Sequence, residues 1–260
     1  MADKLEKTGV RINKAIARAG VCSRRRADEL ILHGAVKVNG MVTRERGLML
    51  SPSDELVVED RRVELRDSGS GAENFIYIML HKPVHVVCTA RDPEGRRTVL
   101  DLLREKYAGR RIYPVGRLDY FSEGLLLLTD DGELAARLTH PRFHLPKRYE
   151  LLARTGTSGI PEEILNTMRN GMTLAEGDKL APVEIRRLKL LPGRGGELVE
   201  LTLYQGVNRQ IRRMCRDARL TVLRLTRVGE GPLALGRLPK GRSRELTAGE
   251  LAALRAAVGL

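Results

Sequence analysis

Residues 116–129, GRLDYFSEGLLLLT, combine a loop bracketed by glycines with a run of four leucines. A short continuous apolar run of this kind is typical of a strand buried in a core. Asp119 lies in the loop beside hydrophobic residues, where an aspartate usually serves as a turn or capping residue. Asp119 and Glu123 are also candidates for a carboxylate pair, but spacing alone does not supply the geometry that such a pair needs. The local pattern leaves the chemistry of the loop open.

Around this loop, the chain from Phe75 onward alternates strand-like and helix-like patterns. Pro161 begins a predicted helix, and Gly171 follows its end. Thr247 and Glu250 form a capping box before a last helix. The strand-like runs are residues 75–80, 125–128, 149–153, 198–203 and 222–225. This part of the chain is predicted to be α+β, with a mixed, mostly antiparallel sheet.

The N-terminal segment has a different pattern. Four apolar residues share one helix face at the spacing i, i+3, i+4 and i+7: Ile12, Ala15, Ile16 and Ala19. Ser23 can cap a second helix, and Asn39-Gly40 marks a hairpin turn before further strands that reach about Val63. We therefore predict a small helix–helix–hairpin domain over residues 1–65. Residues 66–74, RDSGSGAEN, have linker composition, and a second domain covers residues 75–260.

The charge balance favours a polyanionic partner. The chain has 46 Lys and Arg against 33 Asp and Glu, which gives a formal net charge of +13. Nucleic acid is the first interpretation and an anionic membrane surface the second. Aromatic residues make up only 3% of the chain and Trp is absent. This scarcity argues against single-strand binding on an aromatic stacking platform.

Composition also excludes several classes of protein. A hydrophobic content of 42% is enough to bury a core and excludes global disorder. No apolar run approaches the roughly 20 residues of a membrane span, and the N-terminus lacks the apolar stretch of a signal peptide. Cys22, Cys88 and Cys215 give neither a disulfide framework nor zinc-ligand spacing, which fits a reducing cytoplasm. His140 and His144 are four residues apart, but the intervening Pro141 argues against a metal site.

Two arginine runs are candidate RNA contacts. Arg24, Arg25 and Arg26 occupy the first turn of the second predicted helix, where guanidinium groups and backbone N–H groups together can bind phosphate. In residues 208–218, NRQIRRMCRDA, four arginines are spaced i, i+3, i+4 and i+7 on one helix face: Arg209, Arg212, Arg213 and Arg216. Such crowding of like charge destabilises a helix unless an anion occupies the site. In both runs the alternative is a solvated charged face.

Several motifs together resemble one family. Residues 116–135, GRLDYFSEGLLLLTDDGELA, resemble the signature of the RsuA/RluB-type pseudouridine synthases, which rearrange uridine in ribosomal RNA. Residues 11–40 resemble the RNA-binding module named after a small-subunit ribosomal protein. Other motifs of the synthase domain are matched by residues 80–103 (LHKPVHVVCTARDPEGRRTVLDLL), 147–149 (KRY), 206–215 (GVNRQIRRMC) and 225–238 (LTRVGEGPLALGRL). The resemblance covers nearly the whole chain in collinear order.

The resemblance implies roles for individual residues. Asp119 corresponds to the catalytic aspartate, Tyr149 is placed against the target base, and Arg212 lies next to the aspartate. Arg117, in the same loop, joins the predicted RNA contacts. Residues 120–122, Tyr-Phe-Ser, stand where the family often has a polar residue, Asp or Asn, and Thr. Ser122 keeps a hydroxyl, whereas the phenylalanine replaces a polar group and alters contacts of the substrate loop.

The resemblance implies that the chain isomerises a uridine of ribosomal RNA to pseudouridine. The uracil detaches from the ribose, turns and rejoins through carbon five, without redox change, so we expect neither metal nor cofactor. Residues 88–103 are closer to the enzymes of the large-subunit (23S) B type than to the small-subunit (16S) type. We expect a cytoplasmic monomer that acts on ribosomal RNA or a pre-ribosomal particle, away from membranes. The alternatives are a 16S enzyme, a non-catalytic ribosome-assembly protein that binds RNA and, third, a DNA-binding regulator.

Overall fold

The computed structural model describes residues 9–65, 75–154, 159–191 and 196–260. Contacts divide the chain into two units, Met1–Asn74 and Phe75–Leu260. The predicted linker, residues 66–74, lies outside the described residues. Within the described ranges, no helix combines the length and the apolar character that crossing a membrane requires.

The N-terminal unit consists of two helices and short strands. Its elements are β1 (Val10–Arg11), α1 (Ile12–Arg18), α2 (Arg24–Leu32), β2 (Val36–Val38), β3 (Met41–Val42), β4 (Met49–Leu50), β5 (Leu56–Val58) and β6 (Arg61–Val63). Strand order β3-β2-β5-β6 forms one antiparallel sheet, and β1 pairs with β4. The helix–helix–hairpin prediction is confirmed for this unit.

Local chemistry explains why these helices begin and end where they do. The Ser23 side chain accepts a hydrogen bond from the Arg26 N–H at 3.1 Å, which satisfies one free donor at the start of α2. Asn39 and Gly40 both have positive φ, as a two-residue hairpin turn between β2 and β3 requires. Apolar faces of both helices pack with the strands in one core that includes Ile12, Ile31 and Leu56.

The second unit is larger. Its strands are β7 (Tyr77–Lys82), β8 (Tyr113–Val115), β9 (Glu123–Thr129), β10 (Lys147–Arg154), β11 (Glu184–Leu191), β12 (Gly196–Leu203), β13 (Thr221–Glu230), β14 (Leu233–Ala234) and β15 (Ser243–Glu245). Its helices are α3 (Gly132–Thr139), α4 (Glu162–Arg169), α5 (Gln210–Asp217) and α6 (Ala248–Ala256), with a short 3-10 helix at Pro141–Phe143. Pro161 precedes α4, and the predicted capping box of Thr247 and Glu250 is present at the start of α6, with both of its hydrogen bonds formed.

One sheet joins all the strands of this unit. Its order is β11-β12-β10-β13-β9-β7-β15, while β14 pairs with β13 and β8 pairs with β9. Neighbouring strands are antiparallel except β9 and β13, which run parallel. The predicted mixed, mostly antiparallel sheet is confirmed. The parallel pair is short and joins two larger antiparallel groups of strands.

Strand β9 is buried on both faces, which explains its run of leucines. Leu125 and Leu127 pack into one core with α3 and α6, whereas Leu126 and Leu128 pack into another with residues of 86–112. Gly124 begins this run at φ 115°, and a Cβ atom there would lie 2.2 Å from the carbonyl oxygen of Arg227. Only glycine allows β9 and β13 to approach this closely.

Candidate active site

A cleft of about 470 Å³ is lined by the loop before β9, by β10 and β13, and by the start of α5. The three predicted catalytic residues, Asp119, Tyr149 and Arg212, all line it. These residues are far apart in the sequence. Tyr149 lies on β10, which pairs with β13, and the short parallel contact of β13 with β9 brings the loop that precedes β9 to the same place. The fold therefore gathers the predicted residues into one concave site.

Both carboxylate oxygens of Asp119 are held by donors. Oδ1 accepts a hydrogen bond from the Phe121 N–H at 2.9 Å, and Oδ2 accepts one from Ser122 Oγ at 2.7 Å. Arg212 Nε donates to the same Oδ2 at 3.1 Å. The Arg212 fork continues from Nη2 to the Phe121 carbonyl at 2.8 Å and to Ser122 Oγ at 3.1 Å. Asp119 is thus a turn residue and an ion-pair partner at once, which fixes its position at the cleft.

Lys82 supports the backbone of the same loop. Its side chain is fully buried, and its Nζ donates to the carbonyls of Pro83, Asp119 and Ser122 at 2.9, 3.1 and 2.8 Å. Burial lowers the pKa of Lys82. The three carbonyl dipoles replace the water that the ammonium group loses, and they tie the loop before β9 to the end of β7.

Tyr149 is a half-buried residue of β10 that packs against two cores beside the cleft. Burial raises the pKa of its hydroxyl, and the guanidinium of Arg227 opposes that rise. The ring is therefore neutral at physiological pH. An aromatic face that is neutral and held by packing suits contact with a planar base.

Two buried charged residues form part of the cleft wall. Arg227 and Glu230, on β13, are 2% and 3% exposed, and Arg227 Nη2 lies 3.4 Å from Glu230 Oε2. Arg227 Nε donates to the carbonyl of Leu125 at 2.7 Å. Arg227 Nη2 and Glu230 Oε2 have no hydrogen-bond partner of good geometry in the described structure. The cleft wall next to Tyr149 is therefore strongly polar, since Arg227 is the β13 residue paired with Tyr149.

Two of the predicted RNA contacts, Arg117 and Arg209, also line the cleft. Both residues are exposed, and neither guanidinium group has a hydrogen-bond or ion-pair partner among the described residues. Arg209 precedes α5 at φ 50°. Their charges face solvent at the cleft, where an anionic ligand can reach them.

The remaining arginines of α5 have partners inside the protein. Arg213 donates to Glu176 at 2.8 Å and also pairs with Asp178. Arg216 contacts Glu176 at 2.6 Å and Asp217 at 2.7 Å. These internal carboxylates neutralise the crowded arginines, so the helix needs no external anion. The expectation that like charge would destabilise this helix without a bound anion is therefore corrected. Contact of Arg213 and Arg216 with RNA stays a prediction.

The arginines of α2 lie on the exposed first turn of that helix, in the other unit. Arg24 contacts Asn13 at 3.4 Å, and Arg26 pairs with Glu29 at 2.9 Å. The cap from Ser23 removes one of the N–H groups that the predicted phosphate site would use. All three arginines are nevertheless exposed.

Other candidate groups have structural contacts. Glu123 pairs with Lys240 at 2.6 Å and accepts from Thr226, so it does not form a carboxylate pair with Asp119. The His140 ring accepts from the Arg142 N–H and caps the 3-10 helix. Burial raises the pKa of Cys88, which lines the cleft and accepts from the Leu118 N–H at 3.3 Å. Three or more potential metal ligands do not cluster anywhere in the described ranges.

Sequence reasoning missed Lys82, Arg227 and Glu230. Each lies in or beside an apolar strand, and Arg227 has the same parity in β13 as the buried Leu225. Because side chains at i and i+2 share a face of a strand, that parity was a usable signal that Arg227 points inward. Lys82 has the parity of the buried Ile78 and Leu80 in β7, which is the same kind of signal. For Glu230, the sequence carries no comparable signal.

Comparison with known proteins shows which families this chain is similar to. Residues 76–217 match the family model of RNA pseudouridylate synthase, and residues 10–56 match that of the S4 domain. The chain is 42% identical over 247 residues to ribosomal large subunit pseudouridine synthase B of Bacillus subtilis (strain 168), covering 95% of this chain and 96% of the relative. It is 40% identical to an uncharacterized RNA pseudouridine synthase of Aquifex aeolicus (strain VF5), over 96% of both chains. A crystal structure of a pseudouridylate synthase matches with a TM-score of 0.64 and 28% identity, covering 94% of this chain and 99% of that one.

Proposed function

The chain belongs to the RNA pseudouridylate synthase family, and we propose that it converts a uridine of large-subunit (23S) ribosomal RNA to pseudouridine. The observation that carries the proposal is the cleft in which Asp119 is paired with Arg212 and shares the wall with Tyr149. The choice of the large subunit rests on the B. subtilis relative, whose name specifies that subunit.

The reaction makes modest demands on the protein. The bond between uracil N1 and the ribose breaks, the base turns, and a bond from carbon five to the ribose forms. The proton lost from carbon five balances the proton gained at N1, so no electron carrier takes part. Asp119 supplies the carboxylate that acts as nucleophile or base. Arg212 and Ser122 hold that carboxylate in place, so little reorganisation is needed when substrate binds.

The cleft also has to retain a base that is transiently free. Tyr149 packs its neutral face against the uracil, and the polar side chains of Arg227 and Glu230 line the same cleft. Arg117 and Arg209 contact the phosphates on either side of the target nucleotide. A uridine in folded RNA reaches this cleft by leaving its stack, and the cleft contacts offset that loss of stacking.

The two units divide the work in this proposal. Residues 1–65 bind ribosomal RNA or a pre-ribosomal particle through Arg24, Arg25 and Arg26, and residues 75–260 perform the chemistry. Residues 66–74 connect the two domains. We propose a monomer, because Asp119, Tyr149 and Arg212 line one cleft within a single copy and this set needs no residue from a second copy to complete it.

Replacing Asp119 with Asn tests the proposal. Asn keeps nearly the same volume and can hydrogen-bond, so RNA binding should survive, but the carboxylate is lost. We expect the single-turnover rate of pseudouridine formation on a 23S RNA fragment to fall on the order of 10³-fold or more. Asp130→Asn is a matched control, because Asp130 also pairs with an arginine, Arg110, and its side chain is 19% exposed against 21% for Asp119.

A rate near that of wild type for the Asp119→Asn protein would assign the chemistry to another group. If wild type and variant bind 23S fragments equally and neither forms pseudouridine there, the large-subunit substrate is wrong. The same assay on 16S fragments then separates a small-subunit enzyme from a non-catalytic RNA-binding protein.

A further inference from the structure

An exposed cluster of three rings combines two from the loop that carries Asp119 with one from the segment that follows β7. The rings of His85, Tyr120 and Phe121, called here the aromatic rim, have centroids 5.2–5.9 Å apart. Phe121 is 56% exposed and Tyr120 is 37% exposed. The chain has only 3 Phe and 6 Tyr. Placing two of these nine rings in solvent, in contact with each other, is unusual for side chains that normally fill cores.

The backbone groups of the rim residues form hydrogen bonds within the protein, whereas the rings of Tyr120 and Phe121 are exposed to solvent. Asp119 accepts from the Phe121 N–H, Arg212 donates to the Phe121 carbonyl, and the His85 N–H donates to the Tyr120 carbonyl at 2.7 Å. His85 has φ 63°, a conformation that a non-glycine residue adopts only where its surroundings require it. The groups that hold the carboxylate therefore also fix where the rings stand.

The surroundings of the rim indicate what covers it. Tyr120 lines the cleft, so the rim continues the cleft surface outward. Arg117, exposed and without a partner among the described residues, belongs to the same loop. An apolar, aromatic surface beside a cationic side chain matches a nucleotide, which has a flat base and a phosphate. An apolar peptide partner would leave the guanidinium unsatisfied.

We propose that the aromatic rim is a binding subsite for an unpaired nucleobase next to the target uridine, which stacks on Phe121 and Tyr120 while the uridine occupies the cleft. The inference rests on the proposed function, because it takes the cleft to hold a uridine of RNA. The rim acts on binding and selects RNA in which the neighbouring base is unpaired. We expect no contribution of the rim rings to the chemical step, because Phe121 holds Asp119 and Arg212 through its backbone N–H and carbonyl, which a change of its side chain keeps.

The test compares Phe121→Ala with Phe121→Tyr in the full-length protein. Single-turnover rates are measured against RNA concentration with a 23S fragment. For Phe121→Ala we expect the half-saturating concentration to rise about tenfold, the order of one stacked base, with the rate at saturation within about twofold. Phe121→Tyr keeps a ring and should restore wild-type affinity. Leu190→Ala, at an apolar residue of β11 that is 42% exposed, is the control for losing exposed apolar surface.

Abasic nucleotides locate the base. Removing the base at one position beside the target should weaken binding to wild type about tenfold and should have almost no further effect on Phe121→Ala, because both changes remove the same stack. Equal effects of every abasic position on the two proteins would overturn the proposal. So would a Phe121→Ala protein with wild-type affinity, or one that loses only its saturating rate.

A binding measurement separates this inference from the proposed function. The probe is a short RNA stem-loop with one loop uridine and 2-aminopurine beside it. Stacking on the rim should quench 2-aminopurine with wild type and with Asp119→Asn, but not with Phe121→Ala. If wild type forms no pseudouridine yet quenches the probe through Phe121, the proposed function fails and the subsite stands. If the enzyme is active and no flanking position shows quenching, the subsite fails alone.

Discussion

The two arginine runs of this chain look alike in the sequence and differ in the structure. Arg24, Arg25 and Arg26 lie on the exposed start of α2, and one intrahelical pair with Glu29 is the only ion pair they make among the described residues. On α5, by contrast, Arg212 and Arg213 have side chains only 17% and 18% exposed and are paired with carboxylates. A run of arginines therefore does not by itself indicate an RNA surface.

The difference arises from where the carboxylates lie in the chain. Glu176 and Asp178 precede their α5 partners by 35 to 40 residues, and Asp119 precedes Arg212 by 93. Local spacing carries no information on such partners. The neighbourhood of α5 is built by tertiary folding, so its four arginines take separate roles: one at the carboxylate, two in ion pairs and one free at the cleft.

Removing Arg212 should give the largest effect within this comparison. Arg212→Ala takes away the guanidinium that contacts Asp119, the Phe121 carbonyl and Ser122 at once. We expect the saturating single-turnover rate to fall by about 10²–10³-fold, as when one fixed donor is removed from an active site. Arg212→Lys should recover only part of it, because an ammonium group cannot reproduce the fork.

Two further variants decide whether Arg212 works through Asp119. The double variant Asp119→Asn, Arg212→Ala should be little slower than Asp119→Asn alone, because both changes disable one unit. Arg110→Ala breaks a comparable pair with Asp130 outside the cleft and should leave the rate unchanged. Additive losses in the double variant would show that Arg212 acts separately from the aspartate.

Removing the charges of α2 should give an intermediate effect, on binding alone. Replacing Arg24, Arg25 and Arg26 with Ala should weaken binding of a 23S fragment and reduce the slope of log affinity against log salt by about 2, since each lost phosphate contact changes it by about 0.7–0.9. Equilibrium binding is measured at salt concentrations from about 50 to 300 mM, and the slope is taken from log affinity against log salt.

The matched comparison is a double variant of α5 in which Arg213 and Arg216 are both replaced with Ala. These side chains already contact Glu176, so a phosphate would have to displace a carboxylate, and we expect a smaller change of slope for each arginine removed. Equal changes per arginine in the two sets of variants would show that the α5 ion pairs open on RNA. The comparison between the two runs would then fail.

Much of the fold could be predicted because its signals are local. Ser23, Asn39-Gly40 and the pair Thr247 and Glu250 fix helix and turn boundaries through contacts within about four residues. The leucine run of β9 predicted a buried strand, and its burial on two faces explains why it does not alternate. The order of strands in the sheet could not be predicted, since the parallel pairing of β9 with β13 has no local signature.

The candidate site was predictable only in part. Asp119, Tyr149 and Arg212 were placed by resemblance, and the structure brings them into one cleft. Lys82 supports the loop through three backbone carbonyls. Every residue has such a carbonyl, so the sequence does not indicate which ones a buried lysine will bind. Composition argued against an aromatic platform because rings are scarce, but a count does not report where rings lie. Two exposed rings are those of Tyr120, which lines the cleft, and its neighbour Phe121.

The smallest effect concerns Glu176, the carboxylate that pairs with Arg213 and Arg216 of α5. Hydrogen bonds from Arg216 and Arg213 lower the pKa of Glu176 to about 2, against an ordinary value of 4.5. Because this folded-state pKa lies below the unfolded value, the ionised carboxylate stabilises the fold above pH 4.5, and that stabilisation is lost as the pH falls toward 2.

Glu176→Gln should therefore lower the Tm slightly at pH 7, and the difference from wild type should shrink below about pH 4.5. The carboxylate is exposed, so the effect is small and decreases with added salt. Thermal unfolding from pH 7 to pH 3 at low and high salt measures it. A Tm difference that is constant over this range would mean that Arg213 and Arg216 do not depend on the charge of Glu176, and the α5 run would then be no better neutralised than the run on α2.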